Sequence, residues 1–274
     1  EPRLQAWLDA GFHGQMHYMA QHGMLRARPA ELHPGTLRVI SVRMNYLPSG
    51  AAMASTLRNP MLGYISRYAL GRDYHKVIRK RLLKLWQRIE HFLGEAEITH
   101  HQARVFTDSA PILEKALAEK AGLGWIGKNT LLMSRDAGSW FFLGEIFTDI
   151  PLTLDAPEIS SHCGSCTACM DVCPTDAFVA PYQLDATRCI SYLTIEHSGA
   201  IPLELRKKMG NRIFGCDDCQ IFCPWNKFAR RSALPDFDER AGLGSATLAQ
   251  LLAWREADFL RYSEGSAIRR IGHV

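Results

Sequence analysis

Apolar and polar positions follow two different rhythms along this chain. The stretch Leu37-Arg-Val-Ile-Ser-Val-Arg-Met-Asn-Tyr46 is rich in β-branched and apolar residues and stops before Pro48, which predicts a strand. From Asp73 to Phe92 apolar residues return at Val77, Ile78, Leu82, Leu85, Trp86 and Ile89, the spacing of one helix face. The opposite face is basic, with Lys76, Arg79, Lys80, Lys84 and Arg88. It reads equally as a solvated face or as one that meets phosphate. Ala103 to Phe106 predicts a short strand. Asp108-Ser-Ala-Pro111 reads as a helix start, with Asp or Ser as cap and Pro in the first turn. Ile112 to Ala121 continues that helix and Gly122 ends it. Thr130 to Met133 and Trp140 to Phe147 predict two further strands. Leu248 to Trp254 and Phe259 to Ile271 read as helices. Within this mixed α/β pattern lies a glycine-rich loop, Gly122-Leu-Gly-Trp-Ile-Gly-Lys-Asn129. Its spacing is neither a Walker A nor a Rossmann fingerprint. A plain turn and a backbone packed close to a flat or anionic ligand are both open readings.

Composition narrows the class. The chain has 274 residues, 47% hydrophobic and 22% charged, enough to bury a core and too apolar for disorder. A net charge of +4 permits a polyanionic partner without requiring one. No apolar run approaches the roughly 20 residues that span a bilayer, and no signal-peptide pattern opens the chain. An integral membrane protein and a small secreted disulfide scaffold are excluded. Residue 1 is Glu rather than Met, so the native start is expected upstream.

The cysteines carry the chemistry. All 8 lie between Cys163 and Cys223, and the first 162 residues hold none. Cys163-Gly-Ser-Cys166-Thr-Ala-Cys169-Met-Asp-Val-Cys173-Pro174 is the bacterial ferredoxin run C-x2-C-x2-C-x3-C-P, whose fourth cysteine ligates the other cluster. Cys189 followed by Cys216-Asp-Asp-Cys219-Gln-Ile-Phe-Cys223-Pro224 repeats it with a long insertion. The crossing rule gives Cys163, Cys166, Cys169 and Cys223 to one 4Fe–4S cluster, and Cys173, Cys189, Cys216 and Cys219 to the second. Paired C-x2-C motifs also bind zinc. Zinc, however, does not call for a three-cysteine run or a repeated Cys-Pro ending. Two clusters form an electron wire, imply a reducing intracellular compartment, and need an acceptor housed upstream. Basic residues recur around the cluster region at Arg206, Lys207, Lys208, Arg212, Lys227, Arg230, Arg231, Arg261, Arg269 and Arg270. Nucleic acid and a small anionic substrate both fit that charge.

Several motifs together resemble the epoxyqueuosine reductases over nearly the whole chain. They are Arg26-Ala-Arg28-Pro29, Gly71-Arg-Asp-Tyr-His75, Thr107-Asp-Ser-Ala-Pro111, Ala121-Gly-Leu-Gly-Trp-Ile-Gly-Lys-Asn129, the ferredoxin run, Cys189-Ile-Ser-Tyr-Leu-Thr-Ile-Glu196 and Gly215-Cys-Asp-Asp-Cys219. The resemblance implies a cytoplasmic enzyme related to the reductive dehalogenases, using cobalamin and two 4Fe–4S clusters. Its substrate would be tRNA carrying epoxyqueuosine at the wobble position of the anticodon. The epoxide is reduced to an alkene and its oxygen leaves as water. The implied fold is α+β. Residues 1–155 would form a mixed α/β cobalamin-binding and catalytic domain, and 156–232 a ferredoxin-like two-cluster domain. Residues 233–274 would begin a helical C-terminal region that continues further in the family. No D-x-H-x-x-G motif is present, since Asp9 and His13 are wrongly spaced, and the family binds cobalamin without such a histidine.

The resemblance also implies site residues. Asp108 would be the acid that protonates the departing oxygen, a role that needs burial to raise its pKa. On residue pattern alone Asp108 is a helix N-cap. Arg28 would pair with an anionic group of the corrin. Lys128, Asn129 and Ser134 would lie along the cofactor loop, Ser191 and Thr194 would touch cofactor or substrate, and Asp217 would face the cofactor. An external low-potential donor would supply electrons, no membrane is involved, and nothing demands more than a monomer. An electron carrier without chemistry of its own and a small-molecule dehalogenase are the competing readings. Cobalt content separates the first, and tRNA binding the second.

Overall fold

Three antiparallel strands organise the N-terminal half of the computed structural model, which describes residues 1–48, 53–98 and 100–273. β1 (Arg38–Asn45) lies where the alternation put it, and β2 (Tyr64–Ile65) is a two-residue strand further on. β3 (Ala103–Phe106), β4 (Trp125–Ile126), β5 (Leu132–Met133) and β6 (Phe141–Thr148) follow. The sheet order is β1-β6-β3. β1 runs from Arg38 opposite Thr148 to Asn45 opposite Phe141, and β3 sets Phe106 opposite Glu145.

One sheet face carries the long helix Tyr74–Glu95. Its apolar stripe of Val77, Ile78, Leu82 and Trp86 packs on Phe142 and Ile146, with Ile40, Val42 and Val105 beside them. Gly144 lets the helix close down, because a Cβ there would lie 3.0 Å from both Ile78 Cγ2 and Leu82 Cδ1. Asp73 caps the helix by accepting from the His75 backbone N–H at 3.1 Å. The other face receives the shorter helix Glu114–Lys120, whose Ala118 packs with Leu132, Ala137 and Phe141.

That second helix starts later than its sequence suggests. Residues 107–112 form turns, and Leu113 rather than Asp108 stands at the N-cap position. Asp108 sits at φ +54°, a left-handed conformation that no helix start uses. The glycine-rich loop also differs from a plain turn: it holds β4, paired antiparallel to β5. Gly124 at φ +157° is required there, because a Cβ would run into the Met133 carbonyl oxygen. Phe259 to Ile271 is two elements, Glu256–Tyr262 and a 3-10 turn Ala267–Ile271, broken near Gly265 at φ +68°.

Two short helices, Ala168–Asp171 and Asp218–Ile221, pack together. They repeat the same backbone bonds. Asp171 N–H reaches Thr167 O as Ile221 N–H reaches Asp217 O, and Cys173 N–H reaches Met170 O as Cys223 N–H reaches Gln220 O. The sequence repeat is therefore also a structural one. β7 (Phe178–Ala180) and β8 (Gln183–Leu184) form a hairpin, and β9 (Arg212–Phe214) pairs parallel to β2. That pairing stitches the cysteine region to the N-terminal half. Trp7 packs with Ile190, Tyr192 and Leu193. Phe259 and Ile268 pack with Ile65, Ala69 and Leu70. Among the described residues no helix is long and apolar enough to cross a membrane.

Candidate active site

The eight cysteines are all free thiols. Cys163, Cys166, Cys169 and Cys223 line one cavity of about 170 Å3, together with Lys128 and Trp225. Burial pushes the Cys169 thiol up to about 11, and Cys223, Cys163 and Cys166 beside it add to the effect. Cys219 is raised first by burial, then by Cys189. Cys173 in turn acts on Cys189, and Cys219 on Cys216. Cys169, from the first cavity, also acts on Cys219, so all these thiols lie in one neighbourhood. A metal's positive charge is what stabilises thiolates brought this close together. Among the described residues, no group of three or more His, Cys, Asp or Glu side chains is arranged to hold a single metal ion. Four cysteines around a cavity suit a cluster instead.

Asp108 lines a different and larger cavity, of about 1040 Å3. Its Oδ2 accepts from His75 Nε2 at 2.7 Å and from the Tyr74 hydroxyl at 2.8 Å. His75 Nδ1 meets Asp73 Oδ1 at 2.7 Å. One helix N-terminus therefore supplies the cap, the imidazole and the phenol. Tyr74 is fixed by stacking on Phe142, with ring centres 4.2 Å apart. Burial works against a charge on His75, but the hydrogen bonds from Asp108 and Asp73 prevail and raise its pKa. Burial likewise pushes the Asp108 carboxyl up, yet the bonds from His75 and Tyr74 outweigh it and hold the carboxyl below its ordinary value. The proton thus rests on His75, between two carboxylates. Arg270 from the C-terminal segment comes within 3.0 Å of His75 Nε2. Because Nε2–H already donates to Asp108, the guanidinium acts there as a charge. The Asp108 side chain is 53% accessible, so it is open to the cavity while protein packs behind it.

Arg26 lines the same cavity and is buried. One of its amines donates to Tyr18 O at 2.6 Å, while its Nε finds no partner among the described residues. Lys115 also lines the cavity and donates to Thr130 O at 2.8 Å. Burial lowers its pKa.

Comparison with known proteins now decides the family. Residues 162–226 match the model of a 4Fe-4S double cluster binding domain. Residues 26–109 match the model described as epoxyqueuosine reductase QueG. The epoxyqueuosine reductase of Pseudomonas aeruginosa is 62% identical over 273 residues, covering 100% of this chain and 74% of that protein. The chain belongs to the epoxyqueuosine reductase family. It is therefore an oxidoreductase with a double 4Fe–4S domain. A crystal structure of a selenomethionine-labelled epoxyqueuosine reductase matches 99% of this chain and 70% of that one, with a TM-score of 0.86 and 32% identity. A second, at 0.84 and 32% identity over the same shares, holds an epoxyqueuosine-modified tRNA-Tyr stem loop.

Of the residues that the resemblance singled out in this reductase, Asp108 alone lines the large cavity. Arg28 is exposed and turned to Glu1 at 2.8 Å and Glu31 at 3.3 Å; Arg26, two residues earlier, faces the cavity instead. Lys128 Nζ donates to the carbonyls of Gly164 at 2.7 Å and Cys166 at 2.9 Å, holding the cluster loop. Asn129 donates to Cys219 O at 3.3 Å. Ser134 is buried between Arg43 and Asp136. The backbone N–H groups of Ser191 and Tyr192 point to the Cys189 sulfur at a helix N-terminus. Thr194 donates to Ile190 O at 2.8 Å and accepts from Gly215 N–H at 2.9 Å. Asp217 is buried, raised by that burial, and bonded to the Tyr64 hydroxyl, Ser66 and the Arg67 N–H.

Sequence reasoning missed Tyr74, His75, Arg26, Lys115 and Arg270 as site residues. The first two stand in Gly71-Arg-Asp-Tyr-His75 directly after a helix cap, a signal that was available. Arg270 had none, since only folding brings it to residue 75.

Proposed function

We propose that this chain reduces the epoxide of epoxyqueuosine to the alkene of queuosine at the wobble position of tRNA. The overall change takes two electrons and two protons and releases water. Residues 1–155 form the cobalamin-binding and catalytic part, 156–232 the cluster part and 233–274 a helical region that closes on the site through Arg270. Cys163, Cys166, Cys169 and Cys223 hold one cluster, and Cys173, Cys189, Cys216 and Cys219 the other. An external low-potential donor feeds them in the cytoplasm, and the chain works as a monomer. The tRNA stem loop held by a relative 32% identical supports a tRNA substrate.

The cavity beside Asp108 fits cobalamin. Its roughly 1040 Å3 lies at the top of the range of about 300–1,000 Å3 for ordinary ligand pockets. Arg26, which lines this cavity, brings a positive charge suited to a polar edge of such a group. Cobalamin, when bound and reduced, supplies the electrons that open the carbon–oxygen bond.

The protein's own task is the proton. An alkoxide leaves poorly, so a positioned acid lowers the barrier. The single observation that carries this reading is the chain Asp73–His75–Asp108, which ends on a residue lining that cavity and has 2.7 Å at each of its two links. Asp108 relays the proton held on His75 to the departing oxygen, taking it from Nε2 as it gives it up. Tyr74 keeps the carboxyl aimed, and Arg270 compensates its charge.

A bare electron carrier needs neither this cavity nor this proton chain. The test is Asp108→Asn on anaerobically prepared protein. Iron and cobalt content should match wild type, while turnover falls at least about 100-fold. Wild-type turnover would remove the acid assignment, and protein without cobalt would return the chain to the electron-carrier class.

A further inference from the structure

Beneath the Asp108 loop lies a second acidic group that this mechanism does not use. Glu145 sits in the middle strand β6 and is 0% exposed. Neither of its carboxyl oxygens receives a hydrogen bond from any donor among the described residues. Directly opposite on β1 is Ser41, whose hydroxyl is also unpartnered, and opposite on β3 is Phe106. Arg104, on the neighbouring strand, lays its guanidinium over the Phe106 ring at 5.1 Å. The side chain that does meet Glu145 is Glu114, on the helix covering that face. Lys115, next along the helix, is committed to Thr130 O. Among the described residues no cation is hydrogen-bonded to Glu145, and the charge of Lys115 acts on Glu114 instead.

An unpaired, desolvated carboxylate costs several kcal/mol, and such groups keep their proton instead. Two facing carboxyls are both acceptors unless one of them carries a proton. Glu114 has a further bond: its Oε1 accepts the Asp108 backbone N–H at 2.6 Å. That N–H belongs to the residue strained at φ +54°. A bond of this kind is what holds a non-glycine residue in the left-handed region.

We propose that Glu145 and Glu114 form a buried pair sharing one proton, and that through Glu114 this pair clamps the Asp108 backbone so that its carboxyl faces the cavity. Glu145 gives its O–H to Glu114, and Glu114 receives the Asp108 N–H on its other oxygen. Burial acts in the same direction, lifting Glu145 to about 10 and Glu114 to about 7. Glu114 is a positioning residue, acting on the reaction only through Asp108. The inference rests on the proposed role of Asp108 for its kinetic consequence, but the shared proton stands independently of it.

Two measurements on the holoenzyme test this. Infrared difference spectroscopy at neutral pH, wild type minus Glu145→Gln, should contain the carbonyl stretch of a protonated carboxylic acid. The same band should survive in Asp108→Asn. Its absence from the difference spectrum overturns the shared proton, whatever Asp108 does. In kinetics, Glu114→Ala should lower kcat about tenfold, the scale of one charge-assisted hydrogen bond. KM and iron content should stay unchanged. Glu114→Gln, whose amide oxygen still accepts the Asp108 N–H, should recover most of the loss. Wild-type kcat in Glu114→Ala, or no recovery in Glu114→Gln, overturns the clamp. A normal clamp with an active Asp108→Asn would instead sink the acid assignment alone.

Discussion

At the scale of single residues, the site is governed by which group keeps a proton. His75 is raised by its two carboxylate neighbours despite burial. A raised histidine holds its proton below its folded pKa and loses it as pH rises through that value. Turnover limited by proton delivery should therefore fall on the alkaline side of the ordinary histidine value. In His75→Asn that limb should disappear from the pH–rate profile and kcat should drop; an unchanged limb assigns it to another group. Glu145 has the opposite consequence for stability. Its folded pKa of about 10 lies above the ordinary 4.5, so the folded state binds more protons than the unfolded one between those values. Stability is then lost as pH rises through that window. Glu145→Gln should flatten the decline, seen as a smaller drop in Tm between about pH 6 and about pH 9 than in wild type. None of this was legible in the sequence. An isolated Glu in an aromatic strand carries no sign of what it faces. The requirement that burial raise the Asp108 pKa was half right: burial does push it up, but hydrogen bonds that only the fold supplies push it further down.

At the scale of elements, local pattern was a good guide wherever one face is apolar. β1, β3, β6 and the long helix lie close to where alternation and helical spacing put them. Pattern failed at Asp108-Ser-Ala-Pro111, because a capping sequence and a cavity-lining turn use the same residue types. There the Asp108 N–H goes to Glu114 rather than the Asp side chain going to the helix. It also underread the glycine-rich loop, whose β4–β5 pairing needs two residues on each strand and leaves almost no periodicity. Gly124→Ala tests how tightly that hairpin is specified. A Cβ against the Met133 carbonyl should cost on the order of 3 kcal/mol, from strain and backbone displacement together. Thermal melting should show it, while loss of iron should follow only at temperatures where the hairpin opens. A Tm equal to wild type would mean that the loop relaxes freely.

At the scale of the whole molecule, the long helix joins two jobs. Its N-terminus sets Tyr74 and His75 against Asp108, and its outer face shows Lys76, Arg79, Lys80, Lys84 and Arg88 to solvent. If that face meets phosphate, affinity for a modified tRNA stem loop should fall steeply with salt. Lys76→Glu with Lys80→Glu should reduce the salt slope by roughly 0.9 for each phosphate no longer neutralised. An unchanged slope would mark the face as merely solvated. The sequence by itself determined the cluster chemistry and the family, because ligand spacing and linear motifs are properties of contiguous residues. It also determined the main strands and helices, through the periodicity of their buried faces. Only the tertiary structure decided the contacts among Asp73, His75 and Asp108, the placement of Arg26 along the cavity, and the arrival of Arg270. It alone set Glu145 against Glu114. These depend on burial and on the meeting of residues far apart in the chain, and neither is written in the order of the amino acids.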